Sequence, residues 1–159
     1  MDKLLNVLDK NARLTNAQLA VMLGEAEEDI AAAIAKYEAD GVIRGYKTLI
    51  NWEKECKDHV TALIELRVTP KRDYGFEEIA KRIMLFDDVE SVFLMSGGYD
   101  LAVLISGKSF QEIALFVAHR LSPMDSVLST TTHFVLRRYK DSGVVFCDEE
   151  KDERGNASL

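Results

Sequence analysis

The hydrophobic period of the chain changes once, between residues 40 and 60. Over the first 40 residues, apolar side chains recur at helical spacing in three groups, which begin at Leu4, Leu19 and Ile30. From residue 60 onward, short β-branched runs are separated by helical stretches. The sequence therefore predicts a helical unit followed by an α+β unit.

The first unit has the spacing of a helix-turn-helix. Thr15 is placed to cap the second of three short helices, and Gly41 is expected to end the third. Ala20 lies four residues before Gly24, which lets two helices cross closely while the glycine takes a positive φ. A strand over residues 42–50 is expected to leave the unit. The same spacing fits an all-helical module that never contacts DNA, and spacing alone does not choose between these interpretations.

The second unit has the element order of a ferredoxin-like βαββαβ fold. Strands are predicted over residues 60–68, 89–95, 101–105 and 126–138, with Thr69-Pro70 ending the first, and helices over 76–84 and 110–121. In this order two helices cover one face of a four-stranded sheet.

The last predicted strand indicates what the other sheet face does. Strict alternation places one set of side chains together, Val127, Ser129, Thr131, His133 and Val135, and the opposite set, Leu128, Thr130, Thr132, Phe134 and Leu136, on the other face. Neither set is strongly polar. The uncovered face is therefore predicted to pack against a second copy, giving a symmetric homodimer.

Composition excludes several classes of protein. The net charge of −7 disfavours indiscriminate binding to nucleic acid or to anionic membrane. Without a long apolar run or a secretory pattern at the N-terminus, the chain is expected to have no membrane partner and to be cytoplasmic. Cys56, Cys147 and three scattered histidines lack metal-ligand spacing, so neither a metal nor a cofactor is predicted. No catalytic triad order or phosphate-binding loop is present, so no enzyme is predicted.

The predicted domains follow from these patterns. They are a helix-turn-helix domain over residues 1–48, a linker over 49–59, a ferredoxin-like effector-binding and oligomerisation domain over 60–140, and an acidic tail over 141–159. The tail carries a local charge of −4 and is expected to be a frayed, solvated terminus.

The segment Gly97-Gly98-Tyr99-Asp100, between the two middle strands, is the best small-molecule candidate. Two glycines let a ligand approach backbone N–H groups that can hold a carboxylate, and Asp100 can pair with an α-ammonium group, which together suit an amino acid. Ser129 and Thr131 on the last strand can add hydroxyls. The alternative is that the glycines only make a tight turn and that Asp100 caps it.

Together these features resemble the Lrp/AsnC family of regulators. The resemblance covers residues 2 to about 140 and includes Leu8–Thr15, Gly41–Tyr46, the loop Gly97–Asp100 and the last strand before Tyr139. It implies a transcription factor that forms dimers and often octamers. It also implies DNA binding through the N-terminal unit, and an effector, usually an amino acid, held between C-terminal domains.

The resemblance, together with charge, selects the DNA-binding candidates: Arg13, Thr15, Asn16, Glu28, Asp29, Ala32, Lys36, Arg44 and Lys47. The family's third helix normally opens with Ser and carries an Arg near its middle, where this chain has Ala26 and Ala33. Acidic residues in the first turn suit the helix dipole but face phosphate, although a carboxylate can also read cytosine. Residues 1–48 hold six basic and eight acidic side chains, a net charge of −2.

The sequence is also compatible with two alternative functions. The acidic third helix is compatible with an amino-acid sensor, or a heteromeric partner, whose own DNA binding is attenuated. Siroheme decarboxylases share the two-part architecture, but they carry basic and His side chains on the strand that here reads Val92-Phe93-Leu94-Met95-Ser96. A neutral strand argues against that polycarboxylated substrate.

Overall fold

The structure is a computed structural model that describes residues 2–55, 58–69 and 75–147. The chain divides between Leu49 and Ile50 into two compact units. Pro70, Cys56 and the part of the predicted acidic tail from residue 148 onward lie outside the described residues.

Three helices form the first unit: α1 (Lys3–Lys10), α2 (Asn16–Leu23) and α3 (Glu27–Ala39). Thr15 caps α2 reciprocally with Gln18, since each side chain accepts a hydrogen bond from the other residue's backbone N–H, at 3.2 and 2.9 Å. Gly24 follows α2 with φ 73° and Gly41 follows α3 with φ 68°. A small core joins the helices through Leu4, Leu8, Leu19, Ala20 and Ile30. The predicted helices, cap and glycine stops are confirmed.

The strand predicted over residues 42–50 is wrong for this chain. The backbone N–H groups of Val42 and Ile43 both donate to the Tyr37 carbonyl, at 2.9 and 3.0 Å, and so close the last turn of α3. Residues 44–50 run without regular structure. A strand exists only where a partner completes its ladder, and none of the described residues pairs with this segment.

The second unit is the predicted ferredoxin-like sandwich. A short helix α4 (Trp52–Glu55) precedes β1 (Val60–Val68), α5 (Gly75–Ile83), β2 (Val89–Leu94), β3 (Leu101–Gly107), α6 (Phe110–Phe116) continued by a π-helical segment (Val117–Leu121), and β4 (Val127–Phe134). The antiparallel sheet has the order β2-β3-β1-β4. One face packs against α5 and α6 around Ile64, Val103, Ile83 and Ile113. The opposite face, which includes Leu63, Glu65, Arg67, Phe93, Leu104, Ser129, Thr131 and His133, is called the open face below.

A β-bulge changes the facing pattern at the start of β4. Ser129 pairs with Arg67, but the next pairing joins Val127 to Val68, so Leu128 is an extra residue in the ladder. Val127 therefore packs into the core and Leu128 is 69% exposed, the reverse of the predicted alternation. Each inserted residue moves the side chains before it to the other face. From Ser129 to Phe134 the predicted faces hold.

Several element ends differ from prediction because partner strands set them. β4 stops at Phe134, opposite Ala62, although the sequence remains strand-like to Arg138, and β3 continues to Gly107, opposite Val60. β2 ends at Leu94, one residue early. The final helix was predicted as a regular helix to Leu121, but it changes to π-helical geometry at Val117.

A second small hairpin follows the sheet, inside the segment that the sequence assigned to the acidic tail. Its strands are β5 (Lys140–Asp141) and β6 (Val144–Val145), and its turn residues Ser142 and Gly143 have φ 45° and 83°. The Asn51 side-chain amide donates to the Phe146 carbonyl at 3.1 Å, and the Arg138 guanidinium lies 5.5 Å from the centre of the Phe146 ring. The hairpin is thereby fixed to the segment that begins the second unit.

Neither a membrane-spanning helix nor a metal-ligand cluster occurs among the described residues. None of their helices is long and apolar enough to span a bilayer. Within the same part of the chain, His, Cys, Asp and Glu do not gather in groups of three that could hold a metal ion.

Candidate functional site

The exposed side of α3 is the candidate DNA-binding surface of the first unit. Glu28, Ala32 and Lys36 are all exposed and lie four residues apart, so they form one stripe along the helix. Ile30 is buried on the opposite side, against α1 and α2. A helix held this way by its inner face has an outer face that could enter a DNA groove.

The start of α3 is acidic and lacks a side-chain cap. Ala26 occupies the N-cap position with extended backbone, φ −75° and ψ 146°, and contributes no side-chain hydrogen bond. Glu27, Glu28 and Asp29 follow in the first turn, and all three are exposed. They stabilise the helix through its dipole. They also occupy the end of the helix whose free N–H groups would otherwise attract phosphate.

The remaining DNA-binding candidates lie outside α3. Arg13, Arg44 and Lys47 are exposed, whereas Asn16 is half-buried at the start of α2. The Arg44 guanidinium lies beside Gly41, where a Cβ would come within 3.2 Å of Arg44 Cζ. The Thr15 hydroxyl oxygen accepts the capping hydrogen bond, so this side chain has a structural role that any DNA contact would have to share.

Two tyrosine–carboxylate pairs hold the unit at the C-terminal end of α3. The Tyr37 hydroxyl donates to Asp2, which lowers the pKa of the Asp2 carboxyl and raises the pKa of Tyr37. The Tyr46 hydroxyl donates to Glu38 Oε1 at 2.9 Å, which raises the pKa of Tyr46. The second pair holds the extended segment after α3 against the helix.

The loop Gly97–Asp100 is the candidate effector site of the second unit, and hydrogen bonds tie it to β1. The Met95 N–H donates to the Asp100 carbonyl at 2.8 Å, and the Asp100 N–H donates to the Leu66 carbonyl at 2.9 Å. Asp100 Oδ2 accepts the Val68 N–H at 2.8 Å. Because the pairing of β1 with β3 ends at Leu66 and Leu101, this carboxylate satisfies a β1 donor that lies beyond the end of that ladder.

Arg67 fixes the tip of the same loop. It lies on the open face, and its Nε donates to the Gly98 carbonyl at 3.0 Å. One N–H of the guanidinium is used in this contact, while both terminal nitrogens keep donors for other groups. Sequence reasoning missed Arg67; its signal was a basic residue at an outward position of β1.

The local backbone does not require glycine at positions 97 and 98. Neither has a left-handed φ, and a Cβ built on either glycine meets no atom within 4 Å. A tight turn that needed glycine would show a positive φ at one of them. The alternative interpretation, in which these glycines only make the turn, therefore has no steric support. The Asp100 carboxylate accepts the Val68 N–H of β1, whereas the expected interpretation had it cap its own turn.

Ser129 and Thr131 are exposed on the open face, opposite Arg67 and Glu65 respectively. The register thus brings Ser129 beside the residue that holds Gly98. On the same face, His133 Nε2 lies 3.2 Å from Glu65 Oε1. Glu65 and His133 were also missed, because only the pairing of β1 with β4 shows that they are neighbours. Tyr99 is half-buried.

Comparisons with known proteins agree with this two-part arrangement. Residues 3–44 match the winged helix-turn-helix DNA-binding family, and residues 61–145, more than half of the chain, match the Lrp/AsnC ligand binding domain. The HTH-type transcriptional regulator YugG of Bacillus subtilis is 46% identical over 153 residues, which cover 96% of this chain and 92% of that protein. The chain belongs to the Lrp/AsnC family.

Solved structures of Lrp/AsnC proteins share the fold. AsnC of Escherichia coli aligns with TM-score 0.67 and 22% identity over 87% of this chain and 93% of that one. A transcriptional regulator of Neisseria meningitidis, solved as a complex with L-Met, aligns with TM-score 0.72 and 24% identity over 89% and 93%. At these identities the likeness concerns the fold.

As a member of the Lrp/AsnC family, the chain is a DNA-binding transcriptional regulator with a ligand-binding domain. This confirms the family and the general function expected from the sequence. The all-helical module that never contacts DNA is not the interpretation that the family supports.

Proposed function

We propose that this Lrp/AsnC regulator binds an amino acid at the loop Gly97–Asp100, and that binding changes its assembly and thereby its occupancy of DNA. The observation that carries the proposal is the contact between Arg67 and Gly98. It joins an exposed cation to two glycines that the fold itself does not require, beside the hydroxyl of Ser129.

The chemistry of the loop suits both ends of an amino acid. The backbone N–H groups of Gly97 and Gly98 and the terminal nitrogens of Arg67 can hold an α-carboxylate. Asp100 uses one oxygen for the Val68 N–H, and a carboxylate has lone pairs for further donors, so its other oxygen can accept an α-ammonium group. Ser129 and Thr131 add hydroxyls from the same face. The Neisseria meningitidis relative complexed with L-Met supports an effector of this class.

The open face favours a homodimer, which can assemble further into an octamer. Phe93 is 54% exposed on this face, and the paired residues Leu63 and Leu104 lie half-buried on the same face. Apolar side chains left exposed on an uncovered sheet face favour association with a second copy. The effector loop borders this face, so a ligand there can change how copies pack.

DNA binding is proposed through the stripe Glu28, Ala32 and Lys36, with Asp29, Asn16 and Thr15 near it and with Arg13, Arg44 and Lys47 contacting phosphate. The acidic first turn of α3 makes each unit a weak binder, because few phosphates are neutralised. The same observation favours a second candidate function, an amino-acid sensor or heteromeric partner with attenuated DNA binding.

Fluorescence anisotropy on labelled DNA from the gene's own upstream region separates the two candidates. The titration is run at two salt concentrations, with and without mixed amino acids. The regulator is expected to bind with a salt-dependent affinity that amino acids shift. Lys36→Ala should weaken binding and reduce the salt slope by about 1, whereas the matched control Lys10→Ala, on α1, should not. No binding at low salt by a folded, oligomeric protein would favour the attenuated sensor.

The proposal includes two finer points about this family member. It acts as a regulator and not as an enzyme. An absorbance spectrum of the purified protein tests this point, because the decarboxylase alternative predicts a haem-like absorbance and the regulator predicts none. It works in the cytoplasm, since DNA is its ligand.

A further inference from the structure

A surface cavity of about 370 Å³ lies on the helical side of the second unit, away from the open face. It is lined by Arg82, Leu85, Phe86, His119, Arg120 and Met124. These residues come from the end of α5, the loop after it, the π-helical segment and the turn before β4. The cavity shares no residue with the effector loop and is independent of the proposed function.

The π-helical segment Val117–Leu121 supplies two of the basic side chains. Its inner residues Val117 and Leu121 are buried in the core, and His119 and Arg120 between them are exposed. π-Helical turns are rare, carry a cost relative to regular helix, and occur frequently at functional sites. Here the irregular turn places His119 and Arg120 on the cavity wall together.

The charge of the cavity is unlike that of the chain. Its lining has three basic side chains and no acidic one, in a protein of net charge −7. Among the described residues, none of these three forms an ion pair with a carboxylate. Basic side chains are common at a helix C-terminus, because that end carries about half a negative charge, which they neutralise. Two helix ends supply lining residues here and together carry about one negative charge, which the two arginines alone exceed.

The rest of the wall is apolar. Leu85 is 81% exposed, and Phe86 packs edge-on against Phe116 with ring centres 5.3 Å apart. The Arg120 guanidinium lies 5.8 Å from the centre of the Phe86 ring, which holds it at the edge of the cavity with its donors free. Cationic and apolar walls of this size suit a small molecule with an anionic head and an apolar body.

We propose that this cavity is a second ligand site, which binds a small organic anion. Arg82 and Arg120 hold its carboxylate or phosphate head, His119 adds a donor, and Leu85, Phe86 and Met124 contact its apolar part. Arginine is suited to this role because its planar guanidinium binds carboxylate and phosphate with paired hydrogen bonds.

Isothermal titration calorimetry tests the site with four probes: phenyl phosphate, phenylacetate, inorganic phosphate and benzyl alcohol. Phenyl phosphate or phenylacetate is expected to bind with a dissociation constant in the millimolar range or below. Inorganic phosphate is expected to bind more weakly, and benzyl alcohol is expected not to bind. Which of the two aromatic anions binds more tightly identifies the head group. Arg82→Gln should weaken binding at least about tenfold, the loss expected for a charge-assisted hydrogen bond.

Lys81→Gln is the matched control, because Lys81 is an exposed cation on the same helix that does not line the cavity. It should leave the affinity unchanged. Equal losses for Lys81→Gln and Arg82→Gln would reduce the effect to general electrostatics and overturn the proposal. Absence of binding by both aromatic anions, or inorganic phosphate binding as tightly as phenyl phosphate, would also overturn it. Arg82 is exposed and unpaired, and the circular dichroism of each variant checks that it is folded.

Discussion

Replacing Gly98 by alanine separates a glycine kept for a ligand from a glycine kept for a turn. Gly98 has no left-handed φ, and a Cβ there meets no atom within 4 Å. The substitution therefore introduces neither strain nor a clash within the chain. It removes conformational freedom from the unfolded state, which raises the free energy of unfolding by about 0.4–1 kcal/mol.

The same substitution should lower the affinity for the effector, although it raises the free energy of unfolding. If an α-carboxylate approaches the backbone N–H groups of Gly97 and Gly98, a methyl group at residue 98 obstructs that approach. Losing one hydrogen bond to a charged group costs about 1.5–3 kcal/mol, a decrease in affinity of roughly tenfold to a hundredfold. Gly98→Ala is thus expected to be at least as stable as the parent protein and to bind its amino acid poorly.

Urea unfolding followed by circular dichroism measures the first quantity at a fixed protein concentration. Calorimetry measures the second, with whichever amino acid raises the melting temperature most in a screen of all twenty. Gly45→Ala is the matched control, since Gly45 also has neither a left-handed φ nor a neighbour within 4 Å, but lies in the first unit. A Gly98→Ala protein destabilised by more than about 1 kcal/mol would show that the turn needs glycine. A stable variant with full affinity would refute the ligand approach.

Three further predictions concern stability. Gly24→Ala should lower the free energy of unfolding by about 1–2 kcal/mol in the same urea experiment, because φ 73° is left-handed even though a Cβ has room. Ala26→Ser should raise it by about 1 kcal/mol by supplying the missing cap of α3, and Ala26→Gly should raise it by only a few tenths of a kcal/mol less, because glycine is also a favourable N-cap residue. The hydrogen bond from Tyr37 lowers the pKa of Asp2 below its ordinary value of 3.8, so its stabilisation is present above that pH and lost as the pH falls through the folded pKa. Tyr37→Phe should therefore lower the melting temperature near neutral pH and not in strong acid, and an equal loss at both would contradict the argument.

The sequence predicted well the features that depend on residues close together in the chain. Thr15 with Gln18, and Gly24 with its positive φ, act through neighbours in the chain, so their roles can be deduced from spacing. The ferredoxin-like order follows in the same way from alternating hydrophobic periods. Arg67, by contrast, becomes a candidate only when β1 is placed beside the loop that ends in Asp100, and that contact spans 31 residues.

The bulge between β1 and β4 shows why the rest was out of reach. It lies between the pairs Arg67–Ser129 and Val68–Val127, and it is a property of two strands that are distant in sequence. Alternation in one strand cannot show where a ladder slips by one residue, so Val127 and Leu128 were assigned to the wrong faces. The segment 42–50 failed for a related reason, since strand-like composition forms no strand without a partner.

Because α3 is acidic, DNA binding by this regulator should depend more on assembly into oligomers than it would in a regulator with a basic helix. With net charge −2 over residues 1–48, each unit is expected to release few counterions from DNA and therefore to bind it weakly on its own. Linking several weak units converts later binding events into intramolecular ones, with gains of about 10²–10⁴ that depend on geometry. DNA occupancy then follows the number and spacing of the linked units more steeply than it would if one unit bound tightly alone. An effector that alters packing at the open face would therefore control DNA occupancy without touching the DNA-binding helix.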